Sequence, residues 1–213
     1  MSTEKKLLSY PTSTSALILV DVLNDFLSDD GKLNEQIKPM VNKMDLKANL
    51  KRLLDGVRKA GLKVIYAPHG LDEQTFEGLP YLLPRFEYAK GIKVFWKGSK
   101  GADFYEPLKP QEGEFIASRH HMFNSFMGTD LNDHLKANGI EKVILAGLTS
   151  QTCVEGTGRH ALESGYHVTF IVDGVAEFTE KAHLAATEIS YPSFGHEVLT
   201  NTDFLKTIEK PAH

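Results

Sequence analysis

The segment Lys142–Gly165, KVILAGLTSQTCVEGTGRHALESG, decides the fold. It opens on a short apolar run, Val143 to Ala146, bounded by charge and glycine, which reads as a buried parallel strand. Gly147-Leu148-Thr149-Ser150 then turns the chain. From Gln151 a helical pattern begins, with Val154, Thr157, Ala161 and Leu162 on one face and Gly165 as the stop. The only cysteine, Cys153, falls in the first turn of that helix. Unpaired N–H groups and the positive end of the helix dipole would favour thiolate there, and thiolate is the nucleophile. The alternative is a small buried hydrophobe, the usual state of a free cysteine.

Working outward, Ala16–Val20 (ALILV) is an uninterrupted apolar run and reads as a central parallel strand. It ends in Asp21. An acid at the carboxyl end of such a strand sits where open α/β sheets bind ligands. Asp25, four residues on, reads as a turn-capping carboxylate. Residues 34–60 carry a helical pattern broken near Pro39, with Leu46, Leu50, Leu53, Leu54 and Val57 in one buried stripe and Gly61 at its end. Leu62–Ala67 is the next strand, followed by His69, which either lines a site or is structural. Residues 71–112 lack periodicity and are rich in aromatics, the pattern of a long functional loop such as a lid or a subunit contact.

Glu114–Ser118 reads as a short strand leading into Arg119-His120-His121. Neighbours in an extended segment point to opposite sides, so the two histidines would not chelate one ion together. No third ligand stands at a useful spacing, and no metal is expected. One histidine acting as base or charge partner fits better. Thr129–Asn138 is helical, His167–Val172 is a strand ending in Asp173-Gly174, Thr179 caps a helix running to about Ile189, and Glu197–Thr200 is a last short strand. Strands alternating with helices require crossovers and a parallel sheet covered on both faces. The expected fold is α/β: a three-layer α/β/α sandwich around a central, mostly parallel six-stranded sheet, with residues 1–213 forming one domain. Asp21, His120 and Cys153 then share one edge of that sheet.

Composition narrows the function. The chain has 213 residues, 41% of them hydrophobic, and a net charge of −4 with both signs interspersed. No basic block points to nucleic acid, and no apolar run approaches the ~20 residues that span a bilayer. One cysteine builds no internal disulfide framework. The first residues do not read as a signal peptide, so a cytoplasmic protein is expected.

Three segments carry a resemblance: ALILVDVLNDF, GADFYEPLKPQEGEFIASRHHMFNSFMGTDL, and GIEKVILAGLTSQTCVEGTGRHALESGYHVTFIVD around the thiol. Across about Ala16–Asp173 the chain resembles the isochorismatase-like cysteine hydrolases, which include nicotinamidases, carbamoylsarcosine amidase, biuret hydrolase and the isochorismatases. The thiol segment is similar to the amidase branch. The resemblance implies Asp21 as general base and Cys153 as nucleophile. It also implies an oxyanion hole of backbone N–H groups at Thr149 and Cys153, beside a non-proline cis peptide at Leu148–Thr149. The family's lysine, placed by its Lys-x-x-x-Ser-x-Phe pattern ending at Phe126, falls on His120, with Arg119 as the alternative if the loop shifts by one. Phe26, Arg119 and Phe123 are expected to contact substrate. The implied function is hydrolysis of a C–N bond in a small amide or ureide through a Cys thioester, without cofactor. The nicotinamidase-type metal set has no counterpart around His69. The rival readings are an isochorismatase-type ether or ester hydrolase, and an impaired member acting as a binding protein. A homo-oligomer, dimer or tetramer, is expected by resemblance.

Overall fold

The computed structural model describes residues 9–77 and 79–208. Strands β1 (Ser15–Val20), β2 (Lys63–Ala67), β3 (Phe115–Ile116), β4 (Lys142–Leu148), β5 (His167–Ala176) and β6 (Glu197–Leu199) form one sheet in the order β3-β2-β1-β4-β5-β6. Every pairing is parallel. This is the expected α/β sandwich.

The three layers follow from alternation along β1. Leu17 and Leu19 enter one apolar cluster; Ala16, Ile18 and Val20 enter another on the opposite face. The first cluster is completed by Leu50, Leu53, Leu54 and Val57 of the helix Leu46–Ala60 and by Phe204 of the helix Asn201–Ile208. The second holds Leu131 and Leu135 of the helix Leu131–Ala137 and Ala161 of the helix Glu155–Glu163.

Four departures from the sequence reading have physical causes. The 34–60 pattern is two helices, Asn34–Lys43 and Leu46–Ala60, parted at Asp45 in the left-handed region (φ 48°). Pro39 lies inside the first rather than at the break. Strand β5 does not stop at Asp173 but runs on to Ala176 across an irregularity in its pairing with β4. The helix capped by Thr179 changes pitch after Leu184 and continues through a π-helical stretch, Ala185–Ser190, to Phe194. Finally, 71–112 is not one loop. It contains the helix Pro84–Ile92, of which only Phe86 is buried, so the 3.6-residue apolar period that reveals a helix is absent.

Candidate active site

Each polar side chain of interest is delivered by a strand end on the same edge of the sheet. Asp21 follows β1 with a left-handed backbone (φ 52°) that L-residues other than Asn and Asp seldom adopt. His69 follows β2. His120 lies beyond β3, but parallel pairing resumes there: the Gly70 N–H donates to His120 O (2.9 Å) and the His120 N–H to Pro68 O (3.1 Å). That pairing sets the His120 ring against Asp21. Cys153 sits in a π-helical turn, Ser150–Val154, between β4 and the helix Glu155–Glu163. The Leu148–Thr149 peptide before it is cis, as the resemblance implied.

Gly147 (φ 121°) lets this turn approach β1: a Cβ there would collide with the Val20 carbonyl oxygen. Gly156 does the same for the segment after His120, where a Cβ would strike the Phe123 carbonyl.

One reactive atom each from Asp21, His120 and Cys153 lies within 4.8 Å of the other two, and all three residues are buried. His120 Nε2 meets Asp21 Oδ1 at 2.9 Å, and His120 Nδ1 meets the Met122 carbonyl at 2.9 Å. Both ring nitrogens therefore face acceptors, an arrangement that only the doubly protonated imidazolium satisfies. Burial lowers the His120 pKa, but the Asp21 charge and hydrogen bond outweigh it and the net shift is upward. Burial likewise opposes the Asp21 anion, and the His120 charge and hydrogen bond reverse that too, leaving the carboxyl below its usual range. Asp21 Oδ1 also accepts the His69 backbone N–H at 2.6 Å. Its Oδ2 has no hydrogen-bond partner among the described residues.

The thiol behaves opposite to the helix-terminus expectation. Burial first, and the neighbouring Asp21 charge second, push the Cys153 pKa well above the ordinary value. Its resting form is a thiol, with Sγ 3.9 Å from Met122 O and 3.9 Å from Thr152 Oγ1.

Asp21 and Cys153 open onto a cavity of about 210 Å³. Phe26, Phe123, Phe86, Phe95 and Phe178 form its apolar wall, and Thr149, Thr152 and His69 its polar floor. Of the residues singled out from sequence, Asp21, Phe26, His69, Phe123, Thr149 and Cys153 line it. His120 stands behind Asp21 with 1% of its side chain exposed. Arg119 does not line the cavity: its guanidinium donates to the His69 carbonyl (2.7 Å) and its methylenes cover Gly70. His120, not Arg119, is the cation that meets Asp21. His121 is half-buried and does not line the cavity. Asp25 is structural: its carboxylate accepts the Lys32 and Phe95 N–H groups and ties two loops together.

Sequence reasoning expected some of the 71–112 aromatics at the pocket, and Phe86, Tyr88 and Phe95 are there; it missed Arg85, which the helix Pro84–Ile92 brings to the cavity with Phe86 and Tyr88, and Phe178 after β5. The aromatic richness of 71–112 was the available signal for the first group. Among the described residues, the grouping with metal-ligand spacing is the Asp21–His120–Cys153 set itself. Both nitrogens of its histidine are already committed to Asp21 and Met122.

A buried thiol, carboxylate and imidazole thus meet at strand ends beside a largely apolar cavity. The sequence model of the isochorismatase domain matches residues 15–203, and the chain belongs to that family. It is 28% identical over 192 residues to the ureidoacrylate amidohydrolase RutB of Yersinia enterocolitica, with 83% of each chain covered. A cysteine hydrolase from Pseudomonas syringae pv. phaseolicola superposes with a TM-score of 0.78 at 24% identity, covering 97% of this chain and 98% of that one. N-carbamoylsarcosine amidase from Thermoplasma acidophilum superposes with a TM-score of 0.68 at 24% identity, covering 88% and 96%. No helix among the described residues is long and apolar enough to cross a membrane.

Proposed function

We propose that the chain is a cysteine amidohydrolase that cleaves a C–N bond of a small amide or ureide. The observation that carries this reading is the convergence of the Asp21, His120 and Cys153 reactive atoms within 4.8 Å of one another. The likeness to the ureidoacrylate amidohydrolase RutB and to N-carbamoylsarcosine amidase supports it.

The proton inventory dictates the order of events. Asp21 is ionised and its Oδ2 has no partner, so it can take the thiol proton as Sγ attacks the substrate carbonyl carbon. The carbonyl π electrons move to oxygen, and the oxyanion is received by the Thr149 and Cys153 backbone N–H groups. Collapse breaks the C–N bond while Asp21 returns the proton to the departing nitrogen. The acyl group stays on Sγ as a thioester. Water then gives a proton to Asp21, its oxygen attacks the thioester carbonyl, the C–S bond breaks, and the sulfur recovers the proton. His120 holds the positive charge throughout and keeps Asp21 oriented through Oδ1, as the family's lysine would. Phe26 and Phe123 flank the acyl group.

The test is a panel of ureidoacrylate, N-carbamoylsarcosine and nicotinamide, scored by release of amine or ammonia, with intact-mass detection of an acyl group on Cys153 after rapid quenching. Amine release that vanishes in Cys153→Ala is expected. No amine and no adduct, with hydrolysis of an ester or vinyl ether instead, would replace this reading by the isochorismatase type; binding without any turnover would replace it by the binding-protein reading.

A further inference from the structure

His69 is left unused by that mechanism, yet it is poorly explained as a packing residue. It is 5% exposed and lines the cavity beside Asp21 and Cys153. Its backbone is fully engaged: the N–H donates to Asp21 and the C=O accepts from Arg119. Its ring is not. Among the described residues Nδ1 is buried with no hydrogen-bond partner, and the ring lies tilted against Phe95 (5.2 Å between centroids, 34°) and His120 (4.8 Å, 55°). A buried polar nitrogen without a partner costs stability and calls for an explanation in a ligand.

The tetrahedral intermediate fixes where that ligand atom lies. Four substituents surround the attacked carbon. Sulfur comes from Cys153, the oxyanion faces the Thr149–Cys153 backbone, and the acyl group runs along the phenylalanine wall. The departing nitrogen must reach Asp21 to collect its proton, and His69 is the residue bonded to Asp21 that also lines the cavity. We infer that the free ring nitrogen of His69 accepts a hydrogen bond from the N–H of the departing nitrogen, and so selects amides and ureides whose leaving nitrogen carries hydrogen over esters, ethers and fully substituted amides. The ring is in the right form to accept: burial, reinforced by the His120 cation, pulls its pKa down to about 3, so it is neutral at working pH. A neutral imidazole offers one acceptor nitrogen, which an imidazolium does not. With its other N–H held in this way, the nitrogen can turn its lone pair toward Asp21.

This inference rests on the amidohydrolase reading, and the experiment separates the two. Nicotinamide and methyl nicotinate share one acyl group and differ in whether the leaving atom bears N–H. Both are followed by nicotinate formation in the wild type, His69→Phe and His69→Gln. Loss of one hydrogen bond to a reacting group predicts a fall of roughly 10- to 100-fold in kcat/KM for nicotinamide in His69→Phe. Methyl nicotinate should change less than threefold, and His69→Gln should recover part of the amide rate. An equal fall for both substrates, or no fall for either, overturns the inference. A second readout needs no turnover: the His69 ring nitrogens are followed by 15N NMR in Cys153→Ala as each compound is added. A shift with nicotinamide and none with methyl nicotinate supports the inference even if neither is hydrolysed, in which case only the amidohydrolase reading fails. Absence of a nicotinamide-induced shift overturns it outright.

Discussion

Replacing His120 with leucine tests the charge arrangement most directly. The His120–Asp21 contact is 2.9 Å long with side-chain exposures of 1% and 0%. At that distance the Coulomb attraction is about 6 kcal/mol for an effective dielectric of about 20. The loss is smaller than that, because Asp21 stripped of its partner can take up a proton. Neutralising a carboxyl of ordinary pKa costs about 1.36 kcal/mol for each pH unit above 3.9, or about 3.5 kcal/mol at pH 6.5. The Met122 carbonyl, left without its donor, adds about 1 kcal/mol. The expected destabilisation near pH 6 is thus about 3–5 kcal/mol, the range found when one partner of a buried ion pair is removed.

The pH dependence carries the sign. In the wild type, the depressed Asp21 pKa stabilises above the unfolded value of about 3.9 and that contribution disappears as pH falls through the folded value. The raised His120 pKa stabilises fully below the unfolded value of about 6.5 and is lost as pH rises through the folded value. The gap between wild type and His120→Leu should therefore be widest near pH 6, shrink to about 1 kcal/mol by pH 4, where neutralising Asp21 is nearly free, and narrow again on the alkaline side. Urea unfolding at pH 4, 6, 7 and 9, followed by circular dichroism, measures it. A gap below about 1 kcal/mol at pH 6, or one that stays constant from pH 4 to 7, would refute a charged pair.

Three further outcomes are expected. The difference in 240 nm absorbance between wild type and Cys153→Ala, which isolates the single thiol, should show no thiolate step between pH 6 and 9, because burial and Asp21 hold the proton on sulfur; a step at or below the ordinary value of about 8.5 would contradict this. Arg119→Ala should lower stability by about 1–2 kcal/mol through the lost bond to the His69 carbonyl, while KM in the amide assay stays within about twofold, since the side chain does not line the cavity; a large KM rise would put Arg119 back on the substrate. Gly147→Ala forces a Cβ onto the Val20 carbonyl at φ 121° and should cost about 3–5 kcal/mol, roughly 6–20 °C in Tm; an unchanged melting curve would exclude that packing.

How much of this was legible in the sequence depended on how local each signal was. β1 and β4 declared themselves because both faces of each are buried, and the burial of every residue from Ser15 to Val20 leaves no polar position to interrupt the run. The helix Leu46–Ala60 was legible through its single stripe. The helix Pro84–Ile92 was not, because it contributes Phe86 to the core and little else, while Tyr88 is half-exposed at the cavity mouth. His120 was singled out only through the position that the resemblance gives to the family's lysine, and the structure buries it and leaves His121 half-buried. The upward push on the thiol was not legible in the sequence, for a reason that generalises. The helix-terminus argument uses the nearest few residues, whereas burial under the whole fold comes first and the Asp21 charge, which arrives from the neighbouring strand, second.

That neighbour also decides what a histidine can do in the position the resemblance gives to lysine. Asp21 carries one negative charge and His120 one positive, so the buried floor is neutral while Cys153 stays a thiol. A free thiolate would leave net negative charge on groups that are almost fully buried, which is costly. Transfer of the same proton to Asp21 Oδ2 keeps the balance at zero at every instant. The sulfur is therefore expected to become nucleophilic only as the proton moves, during attack rather than before it. Lysine would supply the same charge, but it has three donors and no fixed plane. Imidazolium anchors one nitrogen on Met122 O, the carbonyl that Cys153 Sγ also approaches, and points the other at Asp21. Carboxylate and sulfur are thereby held in register through one rigid ring. Histidine keeps the charge that the chemistry needs only while its pKa stays raised, and the ion pair with Asp21 is what raises it. In the proposed mechanism base and cation thus depend on each other, so Asp21→Asn should remove the proposed general base and discharge His120 at neutral pH together, whereas the same change beside a lysine would remove the base alone.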